Sequence, residues 1–208
     1  MKEYHKIQSI FKRDEKTHKF IESQYSLPEF EYLKNNLWQA TEKINGTNIR
    51  IGWDYESQIV EFSGRSDNAQ TPTFLLTKLQ EMFPKDKFFA AYPDTSMVLY
   101  GEGYGARIQK GGGNYNPNGA DFILFDVLID NWWLRWDDVQ DIAAKLGIAT
   151  VPVIGEYSLI EAVELIKRKE LKSTFGNFLL EGLVLKPIAE LFNRHGERII
   201  TKIKHVDF

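Results

Sequence analysis

Apolar and polar side chains alternate in three successive runs, 37–43, 47–53 and 58–65. A period of two turns one face of each run toward a core, so the three runs predict three consecutive strands. Asn45-Gly46 separates the first pair and the polar stretch 54–57 the second. Asn-Gly is the strongest short hairpin signal, so the first two strands are expected to pair directly, with Lys43 beside their turn. Further strands are expected at 97–102, 104–109, 122–129, 179–186 and 198–204, and the glycine- and asparagine-rich stretch 110–119 reads as a loop.

Helices interrupt this pattern. Ser26-Leu27-Pro28-Glu29 carries a capping residue, a proline in the first turn and a glutamate three places on, which predicts a helix to about residue 35. After Thr71-Pro72-Thr73, residues Phe74, Leu75, Leu79 and Met82 share one helical face. Asp137, Gln140 and Gly147 bracket a helix containing Val139, Ile142, Ala143 and Leu146, and Ser158 with Glu161 opens another that reaches about residue 169. The charged opening, 1–21, is expected to pack loosely or to form a short strand pair. The class is α+β, with antiparallel sheets and flanking helices.

A chain of 208 residues with 43% hydrophobic content can bury a sizeable core as one domain, and no repeat, low-complexity tract or proline-rich linker marks a boundary within 1–208. A net charge of -3 is wrong for coating nucleic acid by bulk attraction, so a polynucleotide site must be a local patch. The absence of cysteine excludes disulfides, thiolate metal sites and thiol catalysis. His5, His18, His195 and His205 show no metal-ligand spacing. The charged start, Met1-Lys2-Glu3-Tyr4-His5, is unlike a signal peptide and no window has the length of a membrane span, so a cytoplasmic location is expected.

The chemistry centres on Thr41-Glu42-Lys43-Ile44-Asn45-Gly46-Thr47-Asn48. A lysine on a rigid turn, with cations nearby to favour its neutral amine, is a nucleophile for the α-phosphate of a nucleotide. The cations available are Arg65, Lys186, Lys202 and Lys204. A lysine and a glycine at a solvated hairpin end look the same, so the weight lies in the segments that follow. These are Ser63-Gly64-Arg65-Ser66, Tyr100-Gly101-Glu102-Gly103, Phe122-Ile123-Leu124-Phe125-Asp126-Val127, Glu181-Gly182-Leu183-Val184-Leu185-Lys186 and Lys202-Ile203-Lys204. Glu102 and Glu181 each interrupt an apolar strand pattern, where an unpaired carboxylate is costly. Alternation also puts Lys202 and Lys204 on one side of a strand.

In type and order these segments resemble the motifs of the covalent nucleotidyltransferase superfamily of polynucleotide ligases and capping enzymes, and most of all its RNA ligase 2-like branch, from about residue 41 to 204. The resemblance implies the ligase nucleotidyltransferase (ATP-grasp-like) fold and a lysyl-AMP intermediate on Lys43. It implies that Arg65 contacts the nucleotide and the end being sealed, Glu102 the ribose, and Phe125 the adenine by stacking. Glu181 is implied in metal binding, and Lys202 and Lys204 face the phosphates. Glu42, Asn48, Val184 and Lys186 join the nucleotide-binding set. ATP with Mg²⁺ or Mn²⁺ is the implied cofactor pair, and the implied partner is RNA with 5′-phosphate and 3′-hydroxyl ends. Gln109-Lys110 matches an Ile-Gln-Lys stretch of these ligases and is a candidate polynucleotide contact.

Two departures qualify the match. Asn45 stands where relatives carry aspartate or histidine, and a neutral amide cannot act as a base, which bears on the later steps. The chain is also expected to be an adenylyltransferase core without the OB-fold or helical domain that commonly grips nucleic acid, so a partner protein or domain for end recognition is a further expectation. Two alternatives remain open: a minimal ATP-dependent DNA ligase, and a nucleotide- or RNA-end-binding module without transfer. The aromatic group Trp132-Trp133-Trp136 reads as core next to an apolar strand, with base stacking as the other option.

Overall fold

The computed structural model describes residues 1–208. In chain order the strands are β1 (Gln8–Ser9), β2 (Phe11–Arg13), β3 (Phe20–Tyr25), β4 (Trp38–Glu42), β5 (Thr47–Asp54), β6 (Ile59–Ser63), β7 (Met97–Gly105), β8 (Ala120–Ile129), β9 (Trp132–Trp133), β10 (Ala149–Thr150), β11 (Val153–Tyr157), β12 (Gly182–Pro187) and β13 (Thr201–Lys204). The helices are α1 (Pro28–Tyr32), α2 (Thr73–Met82), α3 (Lys85–Ala91), α4 (Trp136–Lys145) and α5 (Leu159–Lys167). They fall into two compact units, each built from two stretches of chain: Met1–Tyr4 with Asn45–Val151, and His5–Ile44 with Pro152–Phe208.

The first unit is a six-stranded sheet ordered β10-β8-β7-β5-β6, with β9 paired to β8. All its pairs are antiparallel except the short β10–β8 edge. On one face Ile49, Ile51 and Trp53 of β5, Leu99 of β7, and Phe122, Leu124 and Val127 of β8 pack on Leu75 and Leu79 of α2 and Val139 and Ile142 of α4, all but Val127 in the register that alternation gives. Each such side chain contributes about 1.5–3 kcal/mol by leaving water. The second unit is a five-stranded sheet ordered β1-β13-β12-β4-β11, with the separate β2–β3 pair beside it. Its core joins Trp38 and Ala40 of β4, Leu183 and Leu185 of β12 and Ile203 of β13 to Leu159, Ala162, Val163 and Ile166 of α5.

The expected β4–β5 hairpin does not form. β4 pairs with β12 and β11, whereas β5 pairs with β6 and β7, so Asn45-Gly46 links two different sheets. Neither residue takes the positive φ that a type I′ turn requires. Glycine is needed here for clearance instead, because a Cβ at Gly46 would lie 2.3 Å from the Gly103 carbonyl oxygen and 2.8 Å from Glu102 Cγ. The runs 97–102 and 104–109 are likewise one strand to Gly105 followed by a turn. Gly103 does not break it: the missing side chain makes room for Leu75, whose Cδ2 would be 2.7 Å from a Cβ there.

Local grammar held at one helix start and failed at another. Ser158 and Glu161 form a reciprocal capping box on α5. Ser26 caps nothing, since α1 begins one residue later on Leu27 and the Ser26 hydroxyl donates to the Ser9 carbonyl instead. Helix α3 and the short strands β10 and β11 carry no periodic signal of their own. The charged opening does form a strand pair, β2 with β3.

Candidate active site

Lys43 follows the last residue of β4, and its backbone N–H donates to the Gly182 carbonyl at 2.9 Å, so the rigid neighbour that holds it is β12. Its Nζ donates to Glu181 Oε2 at 2.8 Å, and Glu181 Oε1 accepts from Lys204 Nζ at 2.6 Å. One carboxylate therefore bridges two lysines from distant parts of the chain, with all three side chains 15–30% exposed. Gly182 is there because strand β13 passes close by: a Cβ would sit 2.0 Å from the Ile203 carbonyl oxygen.

Register defines a polar face on this second unit. Thr41, Val184 and Lys202 are direct cross-strand neighbours, as are Gln39 and Lys186, on the side opposite Ala40, Leu183, Leu185 and Ile203 of the core. Glu42 alternates to the core side. Its buried carboxylate accepts from Ser173 Oγ at 2.6 Å and from the backbone N–H and hydroxyl of Thr174 at 3.0 and 2.8 Å. That carboxylate anchors the 173–174 turn beside Lys43, a role that no spacing in the sequence announces.

The remaining candidates lie on the first unit. Asn48 of β5 is directly opposite Glu102 of β7, and Ile123 of β8 follows in the same row, on the face away from the α2–α4 core. Asn48 Oδ1 is buried without a hydrogen-bond partner, an acceptor available to a ligand donor. Phe125 is the extra residue of a β-bulge, since Asp126 pairs with Tyr100 and Leu124 with Gly101. The bulge re-aims its ring off the core face, to a T-shaped contact with Tyr4 at 5.1 Å between centroids.

Arg65 lies two residues beyond β6, exposed, in a turn held from beneath by Arg50. Arg50 is fully buried and donates from Nε to the Gly64 carbonyl at 2.7 Å, from Nη1 to the Met1 carbonyl at 2.9 Å and from Nη2 to Asp67 Oδ1 at 2.8 Å. The guanidinium holds the Asp67 carboxyl below the usual aspartate range, by hydrogen bond first and charge second. Arg50 and the Met1–Tyr4 arm were not anticipated, although an arginine between two isoleucines in an alternating run is a legible anomaly. Burial pushes the hydroxyl of Tyr100, in the same row as Arg50, up to about 12, so it stays a donor, to the Lys2 carbonyl.

Asn45 uses its amide to donate to the Lys110 carbonyl at 3.0 Å, which ties down the loop that Gly111, at φ 85°, then turns. Of the three tryptophans, Trp133 joins Tyr4 and Tyr100 in an aromatic cluster and Trp136 packs against the core, while Trp132 is 77% exposed.

The donor set bears on the expected divalent ion. No group of three or more His, Asp or Glu side chains converges to hold a metal by protein ligands alone. A lone carboxylate among lysines fits Mg²⁺ or Mn²⁺ only where substrate phosphates complete the shell, which is the usual manner for Mg²⁺.

Comparison with known proteins bears on the family and the fold. The RNA ligase family model matches residues 36–204. A variant of the Naegleria gruberi RNA ligase with ATP and Mn superposes with a TM-score of 0.66 at 20% identity, over 87% of this chain and 54% of that one. The same organism's RNA ligase with PPi gives 0.65 at 21%, over 85% and 52%, and a further variant with AMP and Mn gives 0.66 at 18%, over 95% and 57%. The chain thus spans about half the length of these structures. No curated protein sequence matches. The architecture, antiparallel sheets with flanking helices, is the nucleotidyltransferase fold. The chain belongs to the RNA ligase family, on a match that takes in every candidate residue named above. No helix is long and apolar enough to cross a membrane.

Proposed function

We propose that the chain catalyses ATP-dependent ligation of RNA through a lysyl-AMP intermediate on Lys43. The observation that carries this reading is the Lys43–Glu181–Lys204 bridge, with Lys202 on the same β13 strand. In the first step the Lys43 Nζ lone pair forms a bond to the α-phosphorus of ATP, the bond to pyrophosphate breaks, and the amine gives up a proton. Lys202 and Lys204 offset the charge that builds on the phosphate oxygens. In the second, a 5′-phosphate oxygen of RNA takes the AMP and the phosphorus–nitrogen bond breaks. In the third, a 3′-hydroxyl attacks the activated 5′-phosphate, AMP leaves and a phosphodiester forms.

A divalent ion held by Glu181 together with the nucleotide phosphates would supply further charge neutralisation. Glu102 is assigned the ribose, Phe125 the adenine ring, Asn48 Oδ1 a nucleotide donor, and Arg65 the end being sealed. Lys186 and Val184 lie on the polar face with Lys202 and are assigned to the phosphate side. The solved Naegleria gruberi structures with ATP, AMP or PPi support these assignments by likeness of fold. The part-exposed end of Lys43, paired with Glu181 and backed by the Glu42-anchored turn, has the rigidity that such a nucleophile needs.

Intact-mass spectrometry after incubation with ATP and Mg²⁺ tests the reading. A shift by one AMP that Lys43→Ala loses is expected, followed by sealing of nicked RNA. Binding of ATP without any adduct would instead leave a nucleotide-binding module, and sealing confined to DNA ends would make it a DNA ligase.

A further inference from the structure

Glu181 immediately precedes β12, which begins at Gly182, itself paired with Lys204 of β13. A carboxylate that must reach Lys43 with one oxygen and Lys204 with the other needs its main chain held, and on the Leu180–Glu181 side one residue does this with both its backbone and its ring. His205, the residue after β13, donates its backbone N–H to the Glu181 carbonyl at 3.2 Å. Its ring Nδ1 lies 2.9 Å from the Leu180 carbonyl oxygen and 3.1 Å from that of Glu181. Both partners are carbonyls and bring no proton, so Nδ1 must carry the hydrogen and donate it, which sets the tautomer.

We infer that His205 is a positioning residue for the Lys43–Glu181–Lys204 bridge, an inference that rests on the ligase reading above. One residue grips two consecutive carbonyls, including the one on the residue that carries the bridging carboxylate. Because His205 directly follows Lys204, the same clamp fixes the distance between the β13 lysine and its acceptor. The part of the clamp that a side-chain substitution removes is the Nδ1 donor. Asparagine carries an N–H at nearly the same distance from Cα as histidine Nδ1, whereas aspartate has the same shape and no donor.

The experiment uses the full chain, ATP and Mg²⁺, and reads the rate of AMP adduct formation by intact mass against Mg²⁺ concentration. His205→Ala is expected to slow the adduct about ten- to a hundred-fold, the usual effect of a small misplacement, and to raise the Mg²⁺ concentration needed for half-maximal rate. His205→Asn should recover most of the rate while the isosteric His205→Asp does not. This pair keeps the test decisive if the alanine variant folds poorly. Equal rates for Asn and Asp, or a wild-type Mg²⁺ profile in His205→Ala, would overturn the clamp while leaving the ligase reading intact. A wild-type protein that never gains AMP would overturn both.

Discussion

Lys43 and Glu181, 138 positions apart in the chain, meet in an ion pair of 2.8 Å. The pair places the candidate nucleophile against the carboxylate that also holds Lys204, so the three side chains respond to substitution as a unit.

Lys43→Ala should remove all AMP adduct while leaving the protein folded. Glu181 keeps Lys204, and a part-exposed pair contributes about 0–1 kcal/mol. The melting temperature should therefore fall by less than about 4 °C. An adduct that persists on the variant, located by peptide mapping, would move the nucleophile elsewhere.

Glu181→Ala should slow adduct formation about a hundred-fold or more, since it withdraws the one carboxylate of the cluster, which positions Lys43 and Lys204 and is assigned the divalent ion. Rates measured at saturating ATP that match wild type would refute its assigned role.

Glu42→Gln should destabilise the fold by about 1–3 kcal/mol, because an amide cannot accept all three hydrogen bonds from Ser173 and Thr174 and is fully buried in trying. The urea midpoint reads this directly, and an unshifted midpoint would show that the turn is held by other means.

Arg50→Met should cost about 3 kcal/mol or more, for it leaves the buried Gly64 carbonyl and the part-buried Met1 carbonyl without their donor. Asp67→Asn removes only the exposed end of the same network and should shift the midpoint far less. Comparable losses in the two variants would contradict the geometry.

Acid sensitivity has a located contribution in α5. The Ser158 backbone N–H and hydroxyl hold the Glu161 carboxyl below the ordinary glutamate range. A lowered folded value means stability present above the unfolded range and lost as pH falls through the folded value. Ser158→Ala should cost about 1 kcal/mol at neutral pH, and the gap from wild type should narrow on acidification, in urea titrations across that range. A gap independent of pH would show that the Ser158 hydroxyl does not help to hold the Glu161 carboxyl ionised.

Much of this molecule was legible along the chain because alternation and helix periodicity are local. The apolar faces of β4, β5, α2 and α4, the capping box at Ser158 and the order of the motif segments needed no tertiary information. Lys202 and Lys204 share a face simply because strands have period two. Which strands pair is different: Asn45-Gly46 carries a strong turn signal, yet the clearance beneath Gly103 and the partners of β4 override it. The bulge at Phe125 is equally silent in sequence, since one extra residue changes where a ring points and not which residues are present.

Residue types and their order alone pointed to the RNA ligase family and raised the expectation that a lysine, two carboxylates and a terminal pair of lysines share one chemistry. Only the folded chain decided that Glu181, and not Glu42, is the carboxylate joined to Lys43, that Arg50 supports the Arg65 turn, and that His205 grips Glu181. The reason is one of range: propensity and patterning act over a few bonds, whereas an ion pair between residues 43 and 181 exists only after two strands far apart in sequence have found their register.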